Sequence, residues 1–109
     1  MLESILGSIN RERVLLFISC REEGYGREIC RFFKTDLDPI QKQLDKLESG
    51  GVLISRVAGK TRLYSFNPRC PYLKELKALL EKVMTFCPKD MKEVLLKNRR
   101  RPRRRGKPL

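Results

Sequence analysis

Apolar residues recur along this chain with two different periods, and the change of period divides it. Val14, Leu15, Phe17 and Ile18 fall at helical spacing behind Ser8 and Asn10, either of which can cap a helix start. Residues 21–26, REEGYG, read as a turn. In YGREICRFFK, Tyr25, Ile29 and Phe33 stand four apart, with Phe32 beside them on one helical face. DLDPIQKQLDKLESGG predicts a third helix. Asp36 or Asp38 caps it, Pro39 fits within its first turn, Gly50-Gly51 stops it, and Ile40, Leu44 and Leu47 form its buried stripe.

Past the glycines the period becomes two. VLISRV and TRLYSF are β-branched and aromatic runs joined through Ala58-Gly59-Lys60, a hairpin signal, with Tyr64 and Phe66 on one face of the second strand. Asn67-Pro68 ends that strand. CPYLKELKALLEKVMTFC is the longest helical pattern, opened by Pro71 and ended before Pro88, and DMKEVLLK predicts one more short helical piece. The expected fold is mainly α with a small β-hairpin, in the order helix, helix, helix, strand, strand, long helix. Two helices joined by a short turn and followed at once by a hairpin make a winged helix-turn-helix.

Charge adds a boundary that hydrophobicity does not show. The 109 residues hold 25 Lys+Arg against 13 Asp+Glu, a net +12, and eight of the basic residues with no acid lie in 97–109. Residues 1–96 therefore carry only +4. The expected division is a domain over 1–96, including a dimerisation helix at about 70–87, and a disordered basic tail over 97–109. Arg99, Arg100, Arg101, Arg103, Arg104 and Arg105 in that tail suit non-specific phosphate neutralisation. On a flexible backbone they cannot hold a base-reading geometry.

Several classes of function drop out. The longest apolar run, Val14–Ile18, has five residues against the ~20 needed to span a bilayer, and the N-terminus lacks the pattern of a secretory signal. No membrane partner is expected, and the expected location is the cytoplasm, in association with the nucleoid. Cys20, Cys30, Cys70 and Cys87 are spaced too widely for a ribbon-type zinc site, and the chain has no histidine. Reduced, structural thiols, no metal and no cofactor are the expectation. Without histidine or a Gly-rich phosphate loop there is no catalytic constellation, so no enzyme activity is expected.

Taken in order, ILGSINRERVLLFI, YGREICRFF, IQKQLDKLESGGVL, SRVAGKTRLYSFNP and CPYLKELKALLEK resemble the ArsR-like winged-helix regulators over about residues 4–84. The nearest branch is the prokaryotic one found alone or linked to nucleotidyltransferases. The resemblance implies a dimeric DNA-binding regulator. The chain departs from the pattern at Lys34, where a glycine is usual, and at Thr35, where an apolar residue is usual. Its third helix also lacks the cysteine-bearing motif of the metal-sensing branch.

The residues expected to touch duplex DNA follow from that frame. Setting Ile40 and Leu44 inward turns Asp38, Lys42, Asp45, Lys46 and Ser49 outward. Gln41 or Gln43 suits adenine, Lys42 guanine, and Asp38 can accept from cytosine. The helix is net acidic, with four acids and two bases from Asp36 to Glu48, so it is a poor phosphate binder. The wing supplies Arg56, Lys60 and Arg62 around Gly59 as a phosphate clamp, and Arg11, Arg13 and Arg27 lie near helix starts that could face the backbone. In the long helix Leu73, Leu76, Leu80, Val83 and Cys87 repeat at 3-4-3-4 spacing and are assigned to a homodimer interface. Tyr72, Leu79 and Phe86 form a second strip seven apart. Two other readings compete: a protein-interaction module that docks a nucleotidyltransferase through the acidic helix, and an RNA- or ribosome-associated protein acting through the arginine tail.

Overall fold

The computed structural model describes residues 2–86, so Cys87, the DMKEVLLK segment and the basic tail lie outside the described residues. Five helices and three strands follow in the order α1 (Glu3–Leu6), α2 (Ile9–Arg21), β1 (Glu23–Gly24), α3 (Gly26–Phe33), α4 (Leu37–Ser49), β2 (Leu53–Ala58), β3 (Thr61–Phe66) and α5 (Leu73–Met84). No helix among the described residues is long and apolar enough to cross a membrane.

Helix α2 is the central element. Ser8 caps it, its hydroxyl accepting the Arg11 N–H at 3.2 Å, which satisfies one of the free donors of the first turn. Its Val14, Leu15, Leu16, Phe17 and Ile18 are all buried, because α1, α4, α5 and β1 pack around it. Ile29 of α3, Ile40, Leu44 and Leu47 of α4, Leu53 and Tyr64 of the sheet and Leu80 of α5 close the same core.

The expected hairpin is present but widened. β2 and β3 pair antiparallel from Leu53↔Phe66 to Ala58↔Thr61, and β1 adds to the free edge of β3 through Glu23↔Ser65 and Gly24↔Tyr64. The REEGYG segment is therefore a turn and a strand at once. Gly24 permits it: a Cβ there would stand 2.8 Å from Phe17 Cε1, so any side chain would push β1 off α2.

The turn between α3 and α4 forms without the usual glycine. Lys34 takes the left-handed conformation, φ 56° and ψ 50°, with its N–H directed to the Arg31 and Cys30 carbonyls, and the Thr35 N–H bonds the Cys30 carbonyl at 2.9 Å. A non-glycine residue there is strained by about 1–2 kcal/mol.

Helix α5 turns most of its 3-4-3-4 strip toward the core. Leu80 is 0% exposed and Val83 is buried in the core around α2, Leu76 is half-buried against that core, and Leu73 is half-buried. Leu80 and Val83 thus belong to the domain's own core, and Leu76 packs against it. The outward strip is the second one: Tyr72 at 50%, Leu79 at 39% and Phe86 at 63% exposure.

Candidate nucleic-acid interface

Three elements enclose a groove of about 360 Å³: the start of α3, the outer flank of α4 and the wing. Arg27, Lys60 and Arg62 line it, together with Gln41, Asp45 and Tyr64. It thus joins four of the residues expected from the sequence. Asp38 and Lys42 lie on the exposed line of α4 beside it.

The wing cations do not act as one cluster. Across the two-residue turn, Val57 pairs with Arg62 and Arg56 pairs with Leu63. Opposed residues share a face and neighbours alternate, so Arg62 stands with Tyr64 and Ser55 on the face toward α4, while Arg56 is on the other. Arg62 Nη1 donates to Ser55 Oγ at 3.0 Å, and Ser55 Oγ donates to Glu48 Oε2 at 2.6 Å, which ties the wing to α4. Arg56 Nη2 instead meets Glu23 Oε1 at 3.0 Å, reaching across β3 to a carboxylate that is buried.

The two glutamines of α4 are both engaged inside the protein. Their positions flank the outward line by more than half a quarter-turn, and neighbouring elements decide where they go. Gln43 Oε1 accepts from Arg11 Nε at 2.8 Å on the α2 side, and Arg11 Nη1 also donates to the Leu6 carbonyl at 2.8 Å. Gln41 Nε2 donates to Asp45 Oδ1 at 3.0 Å and to the Tyr64 hydroxyl at 3.1 Å. The Tyr64 hydroxyl in turn reaches Asp45 Oδ1 at 3.4 Å. Burial holds the Tyr64 phenol above its ordinary value, and although the Gln41 donor opposes this, the charges of Asp45 and Glu48 add to it. The phenol is neutral at physiological pH and available as a donor.

The remaining expected residues lie elsewhere. Lys46 borders a second groove of about 330 Å³, with Leu6, Arg11, Leu15, Tyr72 and Leu76, on the α1 and α5 side. Arg13 donates to Asn10 Oδ1 at 3.2 Å and stacks over Phe33, 5.6 Å from its centroid, which places it near the α3–α4 turn and outside the groove lining. The sequence reading left out Asp45 and Tyr64 as site residues. Their signals were the i, i+4 spacing of Gln41 and Asp45 and the inward parity of Tyr64 on β3. Cys20 and Cys70 are buried and Cys30 is half-buried, its thiol donating to the Arg27 carbonyl at 3.3 Å.

No family model matches the sequence, and no curated protein sequence matches it. Solved structures do match. Reduced HlyU from Vibrio cholerae is similar over 78% of this chain and 83% of its own, at 18% identity and a TM-score of 0.60. Two structures of a Lactococcus lactis ZitR mutant are similar at 18% identity. One has a TM-score of 0.54 over 83% of this chain and 68% of its own, and the apo form 0.55 over 88% and 81%. The chain shares the fold of these structures, a winged helix-turn-helix in which α3 and α4 are followed by the β2–β3 hairpin.

Proposed function

We propose that this chain is a transcriptional regulator that binds duplex DNA as a dimer, with α4 in the major groove and the wing, residues 52–66, along the backbone or minor groove. The observation that carries this is the groove in which Arg27, Lys60 and Arg62 frame the outer flank of α4. Cations on two flanking elements would fix the register on phosphates, and the helix between them would meet base edges. The dimer half of the proposal rests on the outward strip Tyr72, Leu79 and Phe86, which is wide for an exposed face of a domain this small. Ile5 of α1 is 73% exposed, and Leu6 shares the second groove with Tyr72 and Leu76, so the apolar surface continues across α1. A symmetric pair would present two α4 helices to half-sites about one turn of DNA apart.

The basic tail over 97–109 acts here as an amplifier of affinity. Its eight basic residues would neutralise about three to five phosphates, each adding roughly 0.9 to the salt slope of log affinity. The test selects bound sequences from random duplexes, then titrates salt by fluorescence anisotropy with full-length protein and with residues 1–96. Truncation should weaken binding to every duplex and flatten the slope while the ratio of selected to scrambled affinity survives. If truncation abolishes that ratio, the folded domain is not the reader. Comparable binding of any DNA or RNA would favour the tail-driven alternative.

A further inference from the structure

We infer that Asp45 is a base-reading acceptor that selects cytosine, and that Gln41 and Tyr64 are positioning residues that aim it. The inference rests on the regulator reading above and names the specificity determinant within it.

Gln41 is an unsuitable reader because its amide is already in use. Both Nε2 hydrogens point at protein acceptors, Asp45 Oδ1 and the Tyr64 hydroxyl. Turning the amide over would set Oε1 against the carboxylate, so the chemistry fixes its orientation. Its Oε1 lies 2.7 Å from where a Cβ on Gly26 would stand, so a glycine at that position leaves room for the amide. Reading adenine with Gln41 requires a free donor beside a free acceptor, and here the donors are committed.

Asp45 has the complementary arrangement. One oxygen, Oδ1, accepts from Gln41 and from Tyr64, two groups on two different elements. That anchors one oxygen of an otherwise exposed carboxylate, and neither donor bonds Oδ2. Among the described residues Asp45 makes no ion pair with Arg27, Lys60 or Arg62, although all three line the same groove. Those cations still lower the cost of bringing a carboxylate near phosphates. An acceptor without a donor distinguishes the bases. Cytosine offers an N4 amine and no major-groove acceptor, whereas guanine offers only acceptors and adenine sets N7 beside its amine, facing the carboxylate with a second acceptor.

The experiment takes the duplex selected by the full chain and places all four bases at each position in turn. It compares the unmodified protein with Asp45→Asn, Asp45→Ala and Tyr64→Phe. The unmodified protein should prefer cytosine at one position per half-site by roughly tenfold to a hundredfold. Asp45→Asn should abolish the cytosine preference and move it to a base that offers an acceptor, since the asparagine oxygen stays on Gln41 and Tyr64 and leaves only the Nδ2 donor for the base. Asp45→Ala should flatten that position and at the same time tighten binding to random DNA, because a negative charge leaves the interface. Opposite signs on specific and random affinity are not the signature of a damaged fold. Tyr64→Phe should weaken the preference at that position alone. An unchanged base profile for Asp45→Asn, from a protein that does discriminate, overturns this inference and leaves the regulator reading standing. No discrimination by the unmodified protein overturns both.

Discussion

Replacing Lys34 by glycine should stabilise the domain, and the magnitude can be worked from the turn. Lys34 holds φ 56° and ψ 50° between α3 and α4, and its side chain is exposed, so removing it forfeits no packing. Relief of the left-handed conformation is worth about 1–2 kcal/mol. Glycine gives back roughly 0.5–1 kcal/mol through the greater freedom of its unfolded chain. The net gain is about 0–1.5 kcal/mol with a midpoint of ~0.75 kcal/mol, a rise in Tm of roughly 3–6 °C at that midpoint for a domain of this size. Lys34→Ala is the control, since it loses the same lysine but keeps the strained Cβ. Thermal melts of the three proteins, with urea midpoints as a second measure, decide it. Equal behaviour of the glycine and alanine variants, or a lower Tm for glycine, would refute the assignment of strain to this turn. Glu22 is also left-handed at φ 75°, closing α2 through its N–H to the Ile18 carbonyl at 2.7 Å, but it makes further interactions, so Lys34 is the cleaner site.

Leu80→Glu should unfold the domain by placing a charge in a core position that is 0% exposed, whereas Leu79→Glu should keep the circular dichroism and shift the mass seen by light scattering from dimer to monomer. Arg62→Ala should lower affinity for all duplexes and reduce the salt slope by up to roughly 0.9 per protomer, read by anisotropy. Arg56→Ala, on the far face of the sheet, should instead cost about 1 kcal/mol of stability, discounted for its half-exposed guanidinium, with a smaller change in the salt slope. The Tyr64 phenol titrates higher folded than unfolded, so its contribution is fully present below the unfolded pKa of 10.0 and is lost as pH rises through the folded value. Urea midpoints taken across that window should fall less steeply for Tyr64→Phe than for the unmodified protein.

The order of the main elements was legible because each carries several turns of helical period or a full strand of alternation. The two elements that escaped are the shortest: α1, with four residues, and β1, with two. A two-residue strand has no period to read, and Glu23-Gly24 has poor strand propensity; its partner is the edge of β3, forty residues further on. The same limit applies to the flanks of α4. Periodicity separates Leu44 from Lys42 cleanly, but Gln41 and Gln43 lie between the faces, and Tyr64 and Arg11 decide where they point. The split of Arg56 from Arg62 was readable in principle. A two-residue turn at Gly59-Lys60 pairs positions summing to an odd number, which puts two even-numbered residues on opposite faces. The division of α5 was half legible: the sequence shows two apolar strips in one helix, and the packing of Leu80 into the core shows which strip serves the domain.

The acidity of α4 has a consequence for how a reader of this kind works. From Asp36 to Glu48 there are four carboxylates and two ammonium groups, on the element that would lie nearest the bases. Against random DNA such a helix contributes repulsion, and a carboxylate brought to a base edge without a donor loses water and gains nothing, at a cost of a few kcal/mol. Against the right sequence the same carboxylate finds an amine, and that desolvation is offset. In the proposed complex the attraction to DNA must then come from elsewhere, and it is available from Arg27, Lys60 and Arg62 around the groove and from the eight basic residues of 97–109. Separating attraction from reading in this way widens the gap between correct and incorrect sites, because the cations add equally to both while the acids subtract only from the incorrect one. The sign of the effect is therefore specific: neutralising Asp38 or Asp45 should raise affinity for random duplexes, and a cationic recognition helix would gain affinity only by losing that gap.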